Sequence, residues 1–163
     1  MTVPLLPEHE AAVEALLDRA FGPDRHKRTA YAVRGSTNAL PGLSFVAVED
    51  GAVIGSIQCW PVALVLDAGG AVPLVMVGPV AVAPERQGGG LGRRLTAAAL
   101  DAASKHGEDG ALTLIGDPEY YGRFFGFSAG RTGQWRLPGP VERHRLLARG
   151  AAVPDVPGLL GPR

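Results

Sequence analysis

Near the amino end of the chain, Val13, Leu16, Leu17 and Ala20 recur at helical spacing with polar residues between them, which predicts a helix over residues 7–20. Pro7 suits its first turn, Glu8 and Glu10 favour the positive end of the helix dipole, and Gly22-Pro23 ends it. A second, short helix is predicted over residues 26–33. The pattern then changes to strand-like runs. Residues 44–49 and 52–60 read as two strands joined by an Asp50-Gly51 hairpin turn. Pro61 is expected to break or bend the pairing, with residues 62–66 as a continuation and residues 67–70 as a further turn. The valine-rich run 72–82 predicts a buried central strand. Proline cannot donate to a ladder, so Pro79 predicts a bulge or a place where neighbouring strands part.

Helical spacing returns with Leu91, Leu95, Ala98 or Ala99, and Ala102. Residues 111–115 form a short apolar strand, residues 117–125 a short helix, and a further strand begins at Gly126-Phe127 and runs past Gln134 to Leu137. From Pro138 the chain is rich in proline, glycine and arginine and is expected to pack loosely. The order is two helices, an antiparallel meander, then strand–helix–strand–helix–strand. This is a mixed α/β fold, read as one domain over residues 1–163 with 138–163 as a loosely structured tail.

Composition narrows the function classes. A chain of 163 residues can bury a substantial core, and 46% apolar against 20% charged residues is a globular balance. Sixteen basic residues balance sixteen acidic ones, so no global field favours nucleic acid or an anionic membrane, and anion binding must come from local sites. Cys59 is the single cysteine, which excludes a disulfide within the chain and a cysteine-rich zinc site. No metal is expected. The amino end lacks the basic-then-apolar pattern of a signal peptide, and no apolar run suits a membrane span, so the expected location is the cytoplasm.

The most informative stretch is Arg86-Gln87-Gly88-Gly89-Gly90-Leu91-Gly92-Arg93-Arg94. It follows the buried strand and opens a helix. Glycines let backbone N–H groups approach a bound group closely, and a helix N-terminus adds unpaired donors and partial positive charge. Arg93 and Arg94 lie in the first turn, where cations oppose the helix dipole, and a bound anion would relieve that conflict. The bland alternative is a solvated loop with two exposed arginines. A dinucleotide-binding G-x-G-x-x-G is not met, because the third glycine position falls on Arg93 or Leu95. A Walker A motif fails as well, since no G-K-[ST] follows the glycines.

Gln87-x-x-Gly90-x-Gly92 after a valine-rich strand resembles the Q/R-x-x-G-x-G/A motif of the GNAT acetyltransferases. The later string Gly116-Asp-Pro-Glu-Tyr-Tyr-Gly-Arg-Phe-Phe-Gly-Phe127 is similar to a segment of the bacterial YhbS-like subfamily, and the order of elements agrees over nearly the whole chain. The resemblance implies a GNAT fold, with a central, mostly antiparallel sheet splayed at the strand before the glycine loop and flanked by helices. It implies acetyl-CoA as cosubstrate and an amine as acceptor. Val80, Ala81 and Val82 would then meet the pantetheine arm, while Gln87, Gly88, Gly89, Gly90, Leu91, Gly92 and Arg93 would meet the pyrophosphate. Asp117 and Tyr121 would border the same cosubstrate.

Acetyl transfer to an amine needs a neutral amine, a stabilised oxyanion and a stabilised departing thiolate. By resemblance Tyr121 is the expected general acid, with Tyr120 as the runner-up; both also fit an aromatic core beside Phe124, Phe125 and Phe127. Many GNAT chains carry Tyr-x-x-x-Gly-Phe, whereas here one extra residue separates Tyr121 from Gly126. A backbone N–H at or near Val82 would stabilise the oxyanion. Asp117, His26 and Glu49 are the residues weighed as base, and none is assigned. The basic run Arg25–Arg28 lies where the family forms its acceptor side, although such a run usually reads as a solvated face. Cys59 and Trp60 read as core. The arginine-rich carboxyl end is a candidate cover for the cleft or for a homodimer interface. Two other readings remain open here: a non-catalytic CoA or acyl-CoA sensor, and a nucleotide-binding module, against which the absent lysine and acidic metal ligands count.

Overall fold

The computed structural model describes residues 1–163. Its elements are β1 (Thr2–Pro4), α1 (Glu10–Phe21), α2 (Thr29–Arg34), β2 (Phe45–Glu49), β3 (Ala52–Leu66), β4 (Ala71–Val82), α3 (Leu91–Lys105), β5 (Leu112–Ile115), α4 (Pro118–Phe125), β6 (Trp135–Arg136), β7 (Leu146–Arg149) and β8 (Gly158–Pro162). The strands form one mixed sheet in the order β1-β2-β3-β4-β5-β7, with β8 pairing β3 and β6. Strands β1 to β4 are antiparallel to their neighbours, and β5 lies parallel to β4.

The pleat sorts the core onto two faces. On one, Leu91, Leu95, Ala99 and Ala103 of α3 pack against Ile57 and Cys59 of β3 and Val75 and Val77 of β4. On the other, Val13, Leu16 and Leu17 of α1 pack on Val46 and Ala81, and Val33 of α2 packs with Trp60, Leu64 and Leu160. Each fully buried leucine here contributes about 2 kcal/mol of burial free energy. The stripes read from the sequence for α1 and α3 are thus the buried stripes.

The middle of the sheet shapes the cleft. Strand β4 pairs with β3 along most of its length, from Ala71 to Val82. Its pairing with β5 covers only Val75 and Met76. Beyond Met76 the two parallel strands part, leaving one edge of β4 open. The β3–β4 register also shifts, so that Gly78 and Pro79 stand opposite the single residue Gln58. The irregularity expected at Pro79 is therefore both a bulge and the start of the splay, and it breaks the ladder where the N–H is missing.

Four expectations are corrected. Pro61 does not interrupt β3, which runs unbroken from Ala52 to Leu66. On its outer edge β3 pairs with β2 only as far as Ile57 and with β8 only from Val62, so Pro61 stands where no ladder partner asks for an N–H. The strand expected over residues 126–137 reduces to the two residues of β6 and an isolated bridge between Ser128 and Ala148. The tail 138–163 is not loose. It supplies β7, which pairs with β5, and β8, which pairs with β3. Leu146, Leu147 and Leu160 are fully buried, and the Thr113 and Thr132 hydroxyls donate to the carbonyls of Leu147 and Leu146 at 2.8 and 2.7 Å. Proline and glycine set the turns of this segment, while short apolar blocks cover sheet edges that would otherwise stand unpaired. The second helix differs as well: Arg25–Lys27 is a 3₁₀ turn and Arg28 is extended before α2 begins.

Candidate active site

The open edge of β4 and the start of α3 form one wall of a cleft. Ala83 donates its N–H to the carbonyl of Ile54 on β3. Alternation along the strand then turns Ala81 to β3 and leaves the N–H and C=O of Val80 and Val82 facing the open side. Ala81, expected among the cosubstrate contacts, turns its backbone to the ladder and buries its side chain, yet it borders the smaller cavity described below. The Gln87 amide nitrogen donates to the Val82 carbonyl at 3.4 Å, tying the glycine loop to the strand end.

Gly90, at φ +78°, is the N-cap of α3, a left-handed conformation that a side chain would strain. No side chain caps this helix and no acid lies in its first turn, so its first N–H groups face solvent with the positive end of the dipole uncompensated. The arginines beside them are held elsewhere. Arg94 donates back to the Gly89 carbonyl at 3.1 Å, and the Arg93 guanidinium lies 4.2 Å from the Phe124 ring centroid. Leu91 serves two roles, a core side chain and a backbone in the first turn.

Two cavities open along this wall. The smaller, of about 250 Å³, is bordered by Val80, Ala81, Val82, Gln87, Gly92, Tyr120 and Tyr121, and also by Ala20, Phe21 and Thr96. The larger, of about 740 Å³, lies between the ends of β4 and β5 and the α1–α2 segment. Phe21, Val80 and Tyr121 border both and form the waist between them. Gly88, Gly89, Gly90 and Arg93 lie on the exposed rim instead.

Tyr121 reaches the waist because its helix is fixed at both ends. The Asp117 carboxylate accepts from the Glu119 N–H at 3.0 Å, a side-chain N-cap followed by Pro118 at the first helical position. At the other end Gly126, at φ +72°, lets Phe127 donate back to the Tyr121 carbonyl at 3.2 Å. The extra residue before Gly126 is accommodated in this closing turn. Phe127 is buried, 6.3 Å ring to ring from Tyr121. The ring of Tyr121 also rests on Gly116, where an added Cβ would come within 2.6 Å of it. Burial pushes the Tyr121 hydroxyl up to about 12, the neighbouring Tyr120 adds to the rise and Arg145 opposes it. The hydroxyl therefore stays protonated throughout the neutral range. Tyr120 borders only the smaller cavity, and burial raises its pKa too.

The three residues weighed as base are dispersed. Glu49 is tied to Arg86 at the end of the β2–β3 hairpin, His26 packs 4.9 Å from the Tyr31 ring, and Asp117 caps α4 at the border of the larger cavity. Glu142 also borders that cavity, with its carboxylate 3.5 Å from His144. The basic run divides: His26, Lys27 and Arg28 are exposed, as a solvated face would be, whereas Arg25 turns inward. Arg25 is only 2% exposed and donates to Glu14, Asp18 and the Tyr31 hydroxyl. Burial pulls its pKa down, but these partners outweigh it and the net shift is upward. Lys27 and Arg28 line the larger cavity beside it. Cys59 is core, its thiol pushed up to about 12 by burial.

Several bordering residues carried no motif in the sequence. Phe21 closes α1, Thr96 lies one turn into α3, and Tyr31 and Arg34 lie one turn apart on α2. The i, i+3 spacing sets Tyr31 and Arg34 on one face of α2, but the helix expected over residues 26–33 stopped short of Arg34, and spacing does not show what that face meets.

Comparison with known proteins agrees with this architecture. Over 146 residues the chain is 32% identical to the uncharacterized N-acetyltransferase YhbS of Escherichia coli K12, covering 86% of this chain and 84% of that protein. The crystal structure of E. coli YhbS in complex with CoA superposes with a TM-score of 0.77 at 27% identity, over 100% of this chain and 89% of that one. A GNAT family acetyltransferase from Brucella melitensis, in complex with acetyl-CoA, gives a TM-score of 0.63 at 29% identity, over 93% and 96% of the two chains. Residues 10–127, which hold the open β4 edge, the uncapped helix start and Tyr121, match the Acetyltransferase (GNAT) family, and the chain is a member of that family.

Proposed function

We propose that this chain transfers the acetyl group of acetyl-CoA to a primary amine by direct attack, with the thioester held at the waist between the two cavities. The observation that carries the reading is that Val80 and Tyr121 border both cavities. A narrow groove along β4 suits an extended pantetheine arm, and the backbone groups of Val80 and Val82 offer it strand-like hydrogen bonds. The groove ends at the uncapped start of α3, a fit for pyrophosphate. The larger cavity is left for the acceptor.

The residues divide the work. The amine nitrogen attacks the thioester carbon, the C–N bond forms and the C–S bond breaks. Charge developing on the carbonyl oxygen is met by a β4 backbone N–H on the open edge. Tyr121, in the general acid's place, donates its hydroxyl hydrogen to the departing sulfur. Because burial keeps that hydroxyl protonated, a free phenolate is costly, and the proton is replaced from the amine through water as the thiol leaves. The products are an N-acetylated amine and CoA thiol. No side chain is assigned as base.

The test is release of free CoA thiol from acetyl-CoA by purified protein, with and without an amine panel. Release that depends on an amine supports the reading. Tight acetyl-CoA binding with no release under any acceptor would leave a CoA-binding domain and remove the enzyme.

A further inference from the structure

Two buried arginines stand nine positions apart in the acceptor region, and their surroundings differ sharply. Arg25 is neutralised by Glu14 and Asp18. Arg34 is 8% exposed, its side chain makes no ion pair within 4 Å, and it borders the larger cavity. What holds it is aromatic: its guanidinium carbon lies 3.7 Å from the Tyr31 ring centroid and 3.8 Å from that of Trp60. Both rings are fixed in turn. The Tyr31 hydroxyl accepts from Arg25, and the Trp60 indole donates to the Gly78 carbonyl at 2.9 Å. Stacking satisfies the two faces of a guanidinium, whereas its N–H donors lie in the plane, at the edge.

Glu14, paired with Arg25, attracts the Arg34 guanidinium from beyond pairing distance. A buried cation with no contact ion pair is costly, and an anion entering the cavity would offset that cost. The rest of the cavity has the same sign. Lys27, Arg28 and Arg145 also border it without an ion-pair partner, against the carboxylates of Asp117, which caps α4, and Glu142.

We infer that the acceptor carries an anionic group, a carboxylate or a phosphate, which seats on the aromatic-clamped Arg34 and leaves the acceptor's amine free to reach the waist at Val80 and Tyr121. The inference rests on the proposed acetyltransferase activity and narrows its substrate class. It makes polyamines and other purely cationic acceptors poor substrates.

The experiment compares matched amines: O-phosphoethanolamine with ethanolamine, and a panel of α-amino acids with the amines left when their carboxylate is removed. The expected result is a higher kcat/KM for the anionic member of at least one kind of pair, and which kind it is separates phosphate from carboxylate. Arg34→Gln should raise KM for that member by roughly tenfold or more, with acetyl-CoA affinity serving as the check that the variant folds. Arg34→Lys, which keeps charge but loses the stacked plane, should fall between. Preference for neutral or cationic amines, or a selectivity that survives Arg34→Gln, overturns the inference. Should no amine release thiol, the proposed activity fails, and the anion site is judged separately. Tryptophan fluorescence of a Trp135→Phe background, in which Trp60 is the sole reporter, is then titrated with inorganic phosphate and with acetate in acetyl-CoA-saturated protein. A saturable change absent from Arg34→Gln supports the site, and a signal the substitution does not move removes it. If Arg34→Gln does not fold, Arg34→Lys is read in its place by the same criteria.

Discussion

The smaller cavity is walled largely by one stretch of chain, from Val80 to Thr96, closed by Tyr120 and Tyr121; the larger is assembled from α1, α2, β4, β5 and the segment around Glu142. The first joins the open backbone edge of β4 and the start of α3 to a lining of mostly apolar side chains. The second presents side chains, above all the stacked Arg34. A site made of backbone suits a ligand that stays the same across a family, since it depends on glycines and a strand edge rather than on particular side chains. A site made of side chains drawn from distant segments can change its ligand by single substitutions. On the proposed function, the two halves of this cleft carry different information: the first would identify the donor, the second the acceptor.

That contrast can be broken at the point where the halves meet. Tyr121→Phe is expected to lower kcat by about a hundredfold while acetyl-CoA affinity stays within about twofold. Initial rates of thiol release together with calorimetry separate the two effects, and an unchanged kcat would leave Tyr121 as packing only. The donor half is probed next by Gly90→Val. A β-branched side chain at φ +78° strains the N-cap and crowds the approach of an anion, and acetyl-CoA affinity should fall by roughly tenfold. Equal affinity in the two proteins would detach the glycine loop from the cosubstrate.

Gly116→Ala sharpens the comparison from the other side. Its methyl group would meet the Tyr121 ring, so the ring must shift, and kcat should drop by several-fold, up to about tenfold, with little change in acetyl-CoA affinity. A drop confined to affinity would place Tyr121 with the donor half alone. The smallest effect concerns stability. Cys59 and Tyr121 both have pKa values raised by burial to about 12 in the folded chain. A raised pKa means that the native state keeps a proton the unfolded chain releases. This stabilisation is complete below the unfolded values, about 8.5 for the thiol and 10 for the phenol, and is lost as pH climbs towards 12. Urea midpoints should thus decline from about pH 9 upward in the wild type, and less steeply in Cys59→Ala. Parallel declines would rule out the thiol as a source.

The legible parts of the molecule were those in which neighbours in sequence are neighbours in space. The stripes of α1 and α3, the Asp50-Gly51 turn, the irregularity at Pro79 and the cap at Asp117 all follow from local rules. Pro61 misled because its effect depends on which edge of β3 lacks a partner, a fact about β2 and β8 rather than about residues 60–62. The tail misled because proline and glycine were read as looseness. The apolar blocks Leu146-Leu147 and Leu159-Leu160 matter only once β5 and β3 are seen to need covering. Arg25–Arg28 looked like one charge run, yet Arg25 is buried among acids of α1 while Lys27 and Arg28 border a cavity.

By itself, then, the sequence determined the family, its cosubstrate and the glycine loop proposed to hold it. A glycine loop between a strand and a helix start is a continuous segment whose conformation is set by local φ, ψ and hydrogen-bonding preferences, and those are written residue by residue. The tertiary structure alone decided the cavity proposed for the acceptor. Arg34 becomes a candidate anion seat only because Trp60, from β3, joins Tyr31 in packing on its guanidinium, and because Glu14 and Asp18 of α1 pair with Arg25. Burial and pairing of a charge depend on what the rest of the chain brings to it, and no spacing within a helix records that.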